Sequence, residues 1–149
     1  MHNPSAPEAG YHETRTEVRY VDTDQMGYAH HSCYVAWFEM GRIAWMRDRG
    51  LPYRGLEARG LLMPVVRLEL KYLQPGRFED QLAVQTRLVE MGRASVVFEN
   101  RVCRVAPGAH GPAVLAEGRV ELACVDNTGR VQRLPEDVRR CFETRDASA

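Results

Sequence analysis

Between residues 14 and 21 (TRTEVRYV) apolar and polar positions alternate, the period-2 pattern of a half-buried strand. Turn-forming residues then break the alternation at Asp22-Thr23-Asp24-Gln25-Met26-Gly27. Beyond them the period changes. From 32 to 49, Tyr34, Trp37, Phe38, Gly41, Ala44 and Trp45 fall on one face at helical spacing, and Ala36, Met40 and Ile43 widen it. The apolar arc is roughly 220° wide, about twice the stripe of an ordinary surface helix, so this helix must be wrapped on more than one side. Glu39, Arg42 and Arg49 are left on a narrow polar strip. Gly50 and Leu51-Pro52 end the helix, glycine at the cap and proline just beyond.

Residues 52–60 read as a polar connection. Four strands follow, at 62–73, 81–91, 94–105 and 113–125, rich in Val and Leu alternating with Arg and Glu. Turn signals separate them at Gln74-Pro75-Gly76, Met91-Gly92-Arg93 and 106–112. The Gly92-Arg93 link suits a two-residue type II′ hairpin. Residues 135–142 read as a last turn or two of helix. Strands of about ten residues span about 33 Å and the helix about 27 Å, so a curled sheet can enclose the helix end to end. The expected fold is therefore α+β, a five-stranded antiparallel sheet around one long helix. It forms a single domain at 14–143, with flexible tails at 1–13 and 144–149. An open sheet leaves an edge, and edges are commonly covered by a second copy. A homodimer with a continuous sheet is expected, pairing further into a dimer of dimers.

Composition narrows the class. The 149 residues suit one domain, and 44% hydrophobic with 27% charged residues is ordinary globular usage. Twenty basic residues balance twenty acidic ones, so no net field recommends nucleic acid or an anionic membrane. No apolar run approaches the roughly 20 residues of a membrane span, and the N-terminus carries no signal-peptide core. Cys33, Cys103, Cys124 and Cys141 stand far apart with no Cys-x-x-Cys pair, which points to free thiols in a reducing cytoplasm.

The chemistry concentrates where the first strand meets the helix. Two carboxylates, two tyrosines and two histidines fall within the twelve residues from Tyr20 to His31. A helix N-terminus offers unpaired N–H groups and partial positive charge, a place to hold an oxyanion. A carboxylate beside it is placed to act as nucleophile or general base on an ester or thioester. The same residues also admit plainer roles. Asp22 and Asp24 suit turn positions whose side chains bond nearby N–H groups, the histidines suit a polar rim, and Ser32 suits an N-cap. A metal held by both aspartates and the histidine pair is disfavoured, because adjacent histidines do not place both rings on one face.

The run from Arg19 to Tyr34 (RYVDTDQMGYAHHSCY) resembles the signature of the 4-hydroxybenzoyl-CoA thioesterase-like hotdog proteins, in particular the Tol-Pal-associated bacterial acyl-CoA thioesterases. The likeness continues through Phe38-Glu39, the segment from Arg67 to Pro75, and Asp80, covering about residues 14–126. It implies the same sheet-wrapped helix and an acyl-CoA thioesterase that uses no cofactor or metal. It further implies Asp24 as catalytic carboxylate, Tyr20 and His31 as its companions, and a backbone N–H at or beside His31 that polarises the carbonyl. Asp22 matches a position we read as structural. His30 stands where many members carry an aromatic residue, and Met26 and Tyr28 replace smaller ones, so the acyl group is not fixed by the likeness. Trp37 and Phe38 are candidates for the acyl pocket, with plain core packing as their alternative. Arg93, Arg59 and Lys71 are candidates for the coenzyme A phosphates. Because one scaffold serves several activities, a non-catalytic acyl-CoA or acyl-carrier binder and a hotdog hydratase stand as alternatives.

Overall fold

The computed structural model describes residues 10–105 and 112–143. Five strands, β1 (His12–Glu17), β2 (Val65–Tyr72), β3 (Gln81–Met91), β4 (Ser95–Arg104) and β5 (Ala113–Ala123), form one antiparallel sheet in the order β1-β3-β4-β5-β2. Three helices accompany it: α1 (His31–Asp48), α2 (Tyr53–Ala58) and α3 (Glu136–Glu143). β1 and β2 lie at opposite edges, so α1, which follows one and precedes the other, must cross the face of the sheet. This is the hotdog arrangement expected from the sequence.

Local differences have local causes. The first strand starts earlier, at His12, so residues 12 and 13 belong to the sheet, and Tyr11 just before it is buried with its hydroxyl donating to Glu99 at 2.7 Å. The strand also stops before residue 21, because Asp22 accepts the Arg19 N–H and folds 20–22 into a 3-10 turn. The rest of both expected tails, and most of the 106–112 turn, lie outside the described residues. Residues 53–58 form α2, where only a connection was expected. Between β3 and β4 the closing pair is Gly92 and Ser95, bonded at 2.8 Å, which leaves Arg93 and Ala94 as the central residues. Glu79 is the only non-glycine with positive φ among the described residues, and Gly92 is not among the positive-φ glycines, so the link is not type II′. A bulge between Leu88 and Glu90 supplies twist that such a turn would otherwise give.

Tyr34, Trp37, Phe38, Ala44, Trp45 and Met46 of α1 are buried against the sheet. Two glycines let the helix sit that close. A Cβ on Gly41 would lie 2.5 Å from the Thr86 hydroxyl, and one on Gly118 would collide with the Glu69 carbonyl and lie 2.8 Å from the Phe38 ring. At the far end Trp45 meets Phe98 edge-on at 5.1 Å and stacks on Phe142 of α3 at 5.6 Å. Truncating so well packed an aromatic costs about 3–5 kcal/mol.

Arg42, expected on the polar strip, is instead 6% exposed. The opposite surprise is β2, where Val65, Val66, Leu68 and Tyr72 remain exposed along an unpaired edge.

Candidate active site

The loop before α1 is built around two aspartates with different work. Asp22 is buried and accepts the Arg19 backbone N–H at 2.8 Å, while the Arg19 guanidinium reaches its two oxygens at 3.1 and 2.8 Å. Those bonds from Arg19 hold its carboxyl below the usual carboxylate range, against the opposing effect of burial. Its carbonyl accepts the His30 N–H at 2.7 Å, and the Cys33 thiol lies 3.5 Å from the same oxygen. Asp22 thus fastens the loop to the start of the helix.

Asp24 sits two residues on, half-buried. Its Oδ1 accepts the N–H groups of Met26 at 2.9 Å and Tyr28 at 3.2 Å, and its own N–H donates to the Tyr28 carbonyl at 2.8 Å. Gly27 closes this turn at φ 80°, a left-handed conformation that glycine adopts without penalty. Oδ2 makes no hydrogen bond among the described residues and is left for chemistry.

The helix opens one residue earlier than Ser32, and its N-cap is His30. His30 Nδ1 accepts the Ser32 N–H at 3.2 Å, and the His30 carbonyl accepts that of Cys33 at 2.9 Å. The N–H of His31 has no acceptor among the described residues. This amide lies at the positive end of an 18-residue helix, where backbone donors favour negative charge. The first turn is pinned by Tyr72, whose hydroxyl donates to the His31 carbonyl at 2.8 Å.

Asp24 and His31 line one cavity of about 350 Å³, together with Met26, Tyr28, Tyr34, Tyr72 and Pro75 among others. An amide with no acceptor and a carboxylate oxygen with no hydrogen bond among the described residues thus belong to two residues that line the same cavity. That pairing serves addition to an acyl group.

Not every expected residue joins them. Tyr20 is 79% exposed outside this cavity, edge-on to Phe78 at 5.6 Å. Lys71 is exposed and neighbours Tyr72 on β2, so it stands on the opposite face of that strand. Arg93 lies in the β3–β4 turn, at the other end of the sheet from Asp24, and α3 flanks that turn through an Arg139 bond to the Gly92 carbonyl. Arg59 is on the same side of the molecule, paired with Asp137 of α3 at 2.7 Å. Trp37 and Phe38 are core residues, and Phe38 borders a second cavity further along α1. Tyr34 was read from the sequence as part of the helix's apolar face and Tyr72 as part of a strand, neither as a site residue. Tyr72 shares the inner face of β2 with Leu70 and Leu68, which is the signal that marks it. Among the described residues no group of three or more His, Cys, Asp or Glu stands together to hold a metal ion.

Comparison with known proteins places this geometry. Residues 18–142 match the model of the thioesterase-like superfamily. The putative acyl-CoA thioesterase YneP of Bacillus subtilis is 37% identical over 82 residues, which are 55% of this chain and 59% of that protein. The acyl-CoA thioester hydrolase YbgC of Escherichia coli O6:H1 is 31% identical over 109 residues, 73% of this chain and 78% of that protein. Among solved structures, the hypothetical protein TT1821 of Thermus thermophilus superposes with a TM-score of 0.80 at 39% identity, covering 89% of this chain and 95% of that one.

Proposed function

The chain belongs to the thioesterase-like superfamily, and from that premise we propose that it hydrolyses acyl- or aroyl-CoA thioesters to the free acid and coenzyme A. The observation that carries this reading is that Asp24 and His31, whose N–H has no acceptor among the described residues, line the same cavity. The thioester oxygen accepts from the His31 amide, which stabilises the charge that develops there; one such donor is typically worth roughly 10²–10³ in turnover. Asp24 Oδ2 adds to the carbonyl carbon itself or takes a proton from the water that adds. By either route one water is consumed, the C–S bond breaks, and the sulfur leaves as the coenzyme A thiol. The His31 ring positions the acyl group or the water at the cavity wall. Tyr20 joins only once ligand or a neighbouring subunit covers the rim where it stands. Nothing in this sequence of steps calls for a cofactor.

The apolar edge of β2 supports a homodimer with one continuous sheet, and a dimer of dimers beyond it. Antiparallel pairing of two β2 edges turns the far end of one copy toward the Asp24 cavity of the other. In that arrangement Arg93 and Arg59 of a second copy approach the coenzyme A phosphates, with Lys71 at the near rim. Phe38 and Trp37 then shape the floor beneath the acyl group from within the core. Cys33, Cys103, Cys124 and Cys141, none of them in a disulfide among the described residues, suit a reducing cytoplasm.

A panel of acyl-CoAs of graded length, with aromatic members, assayed for thiol release tests the activity. Release from at least one of them is expected. Tight binding without thiol release would mean a binder, and loss of enoyl-CoA absorbance without thiol release would mean a hydratase.

A further inference from the structure

The N-cap of α1 is a titratable ring. His30 Nδ1 accepts the Ser32 N–H at 3.2 Å and lies 2.8 Å from the Ser32 hydroxyl. That bond closes a loop of atoms from the His30 ring through its Cα, across the peptide to His31, and on to the Ser32 nitrogen. The peptide inside the loop carries the His31 N–H, so that N–H cannot turn freely while the ring is bonded. The backbone on either side is fixed as well. The His30 N–H donates to the Asp22 carbonyl at 2.7 Å, and the Tyr72 hydroxyl donates to the His31 carbonyl at 2.8 Å. The half-buried His30 ring also lies against the His31 ring, with centroids 4.1 Å apart and planes 32° from parallel. Thus His30 takes the second amide of the helix and leaves the first, that of the cavity-lining His31, without an acceptor among the described residues.

An imidazole nitrogen accepts a hydrogen bond only while it carries no proton. With both nitrogens protonated, the ring has nothing to offer the Ser32 N–H. Its charge would then stand at the positive end of an 18-residue helix and against the His31 ring. Both effects open the cap. The elements around this turn bear other titratable or charged groups. They are His31 and Cys33 of α1, Asp24 and the Asp22–Arg19 pair of the preceding loop, Tyr72 of β2, and Arg77, which lies over the Tyr28 ring at 5.3 Å. Among the described residues none of them hydrogen-bonds or ion-pairs with the His30 ring, so no carboxylate is bonded there to favour its charged form.

We propose that His30 is a positioning residue for hydrolysis: its unprotonated ring holds the His31 amide ready for the thioester oxygen, and a proton taken from solvent at Nδ1 releases that amide. This rests on the thioester hydrolysis proposed above and adds a pH dependence to it. Turnover falls in acid through His30, which touches no reacting atom, as well as through the groups that react. Imidazole changes charge between about pH 5 and 8, so the link operates in the physiological range. Phenylalanine at this position would keep the ring stack and lose the link.

Thiol-release kinetics of the wild-type chain, His30→Asn and His30→Ala from about pH 5 to 8 test this, with circular dichroism to verify folding. Asparagine caps a helix through an oxygen that does not titrate, so at about pH 8 His30→Asn keeps at least about a third of the wild-type kcat. His30→Ala has no cap. It loses about tenfold in kcat with KM within about threefold, a part of the roughly 10²–10³ that an oxyanion donor supplies. Titrations shared by both chains, those of Asp24 and His31 included, cancel in the ratio of wild-type to His30→Asn kcat. That ratio falls at least about fivefold between about pH 8 and 5, as the wild type comes to behave like the uncapped chain. A ratio that stays constant overturns the proposal, as does His30→Ala matching wild type at the alkaline end. If His30→Asn falls as far as His30→Ala, the stacked ring matters and the cap does not. Should His30→Ala not fold, the His30→Asn ratio alone decides. Ring ¹⁵N NMR, with the His30 signals identified by their loss in His30→Asn, reads the cap without any turnover. At about pH 8 the proton is expected on Nε2, with Nδ1 unprotonated. A proton on Nδ1, donated to the Ser32 hydroxyl, overturns the cap whatever the activity. An unprotonated Nδ1 with no thiol release from any acyl-CoA leaves the cap standing and overturns the hydrolysis, and the positioning role with it.

Discussion

Asp24 does two things in this fold, and asparagine separates them. Its Oδ1 holds the Met26 and Tyr28 amides, while its Oδ2 makes no hydrogen bond among the described residues. Asp24→Asn retains an oxygen for both amides, so its stability should stay within about 1 kcal/mol of wild type. Asp24→Ala abandons both bonds at about 0.5–1.5 kcal/mol each, a loss of about 1–3 kcal/mol. Catalysis should not distinguish them in the same way. Both lack the carboxylate, and both should lose at least about 10²-fold in kcat, equivalent to about 2.7 kcal/mol of barrier. KM should change less than about threefold, since the groove that binds substrate is retained. Thiol release gives the kinetics and urea unfolding gives the stabilities. If Asp24→Asn kept more than about a tenth of wild-type turnover, the carboxylate would not be the reacting group. If it destabilised as much as Asp24→Ala, the structural role assigned to Oδ1 would be wrong.

Gly118→Ala should lower stability by about 1–3 kcal/mol in urea, because the new Cβ collides with the Glu69 carbonyl and the Phe38 ring. An unchanged midpoint would mean that α1 is not seated there. Asp22 has its pKa depressed in the fold, so its ionised form stabilises at neutral pH. That contribution is full above the unfolded value of about 3.9 and disappears as pH falls through the lower folded value. The stability gap between wild type and Asp22→Asn should therefore be flat from about pH 7 to 5 and close as acid is added below about pH 4. A gap that persisted to the lowest pH at which the fold survives would contradict the Arg19 clasp. Tyr72→Phe removes the bond to the His31 carbonyl and should reduce kcat about 2- to 10-fold with under about 1 kcal/mol of destabilisation. Unchanged kinetics would show that the first turn of α1 needs no such anchor.

Much of the architecture was legible because its signals are local and periodic. The wide apolar arc of α1 required a sheet on more than one side, and period-2 runs marked β2 to β5. The helix cap was misplaced by two residues because a histidine ring nitrogen does the work usually given to serine. The β3–β4 turn was displaced by one because pairing, with its bulge, decided which residues close it. Arg42 shows a deeper limit. A helical wheel puts it on the polar strip, yet Tyr53 and Val65, from elements brought alongside only by folding, help to enclose it. In the site, Asp24 and His31 share a loop, so their meeting could be anticipated from sequence. The contribution of Tyr72 depends on a strand 41 residues away in the chain. The likeness to related enzymes suggested Arg93 and charge suggested Arg59 for the coenzyme A phosphates, and a single chain keeps both at the other end of its sheet from Asp24.

The most direct measurement is a crystal structure of Asp24→Asn with an intact acyl-CoA bound. The thioester oxygen should lie about 2.7–3.1 Å from the His31 amide nitrogen, and its carbonyl carbon about 3–3.5 Å from the side chain at residue 24. A thioester found elsewhere, with the His31 N–H turned to solvent, would contradict the mechanism at its centre.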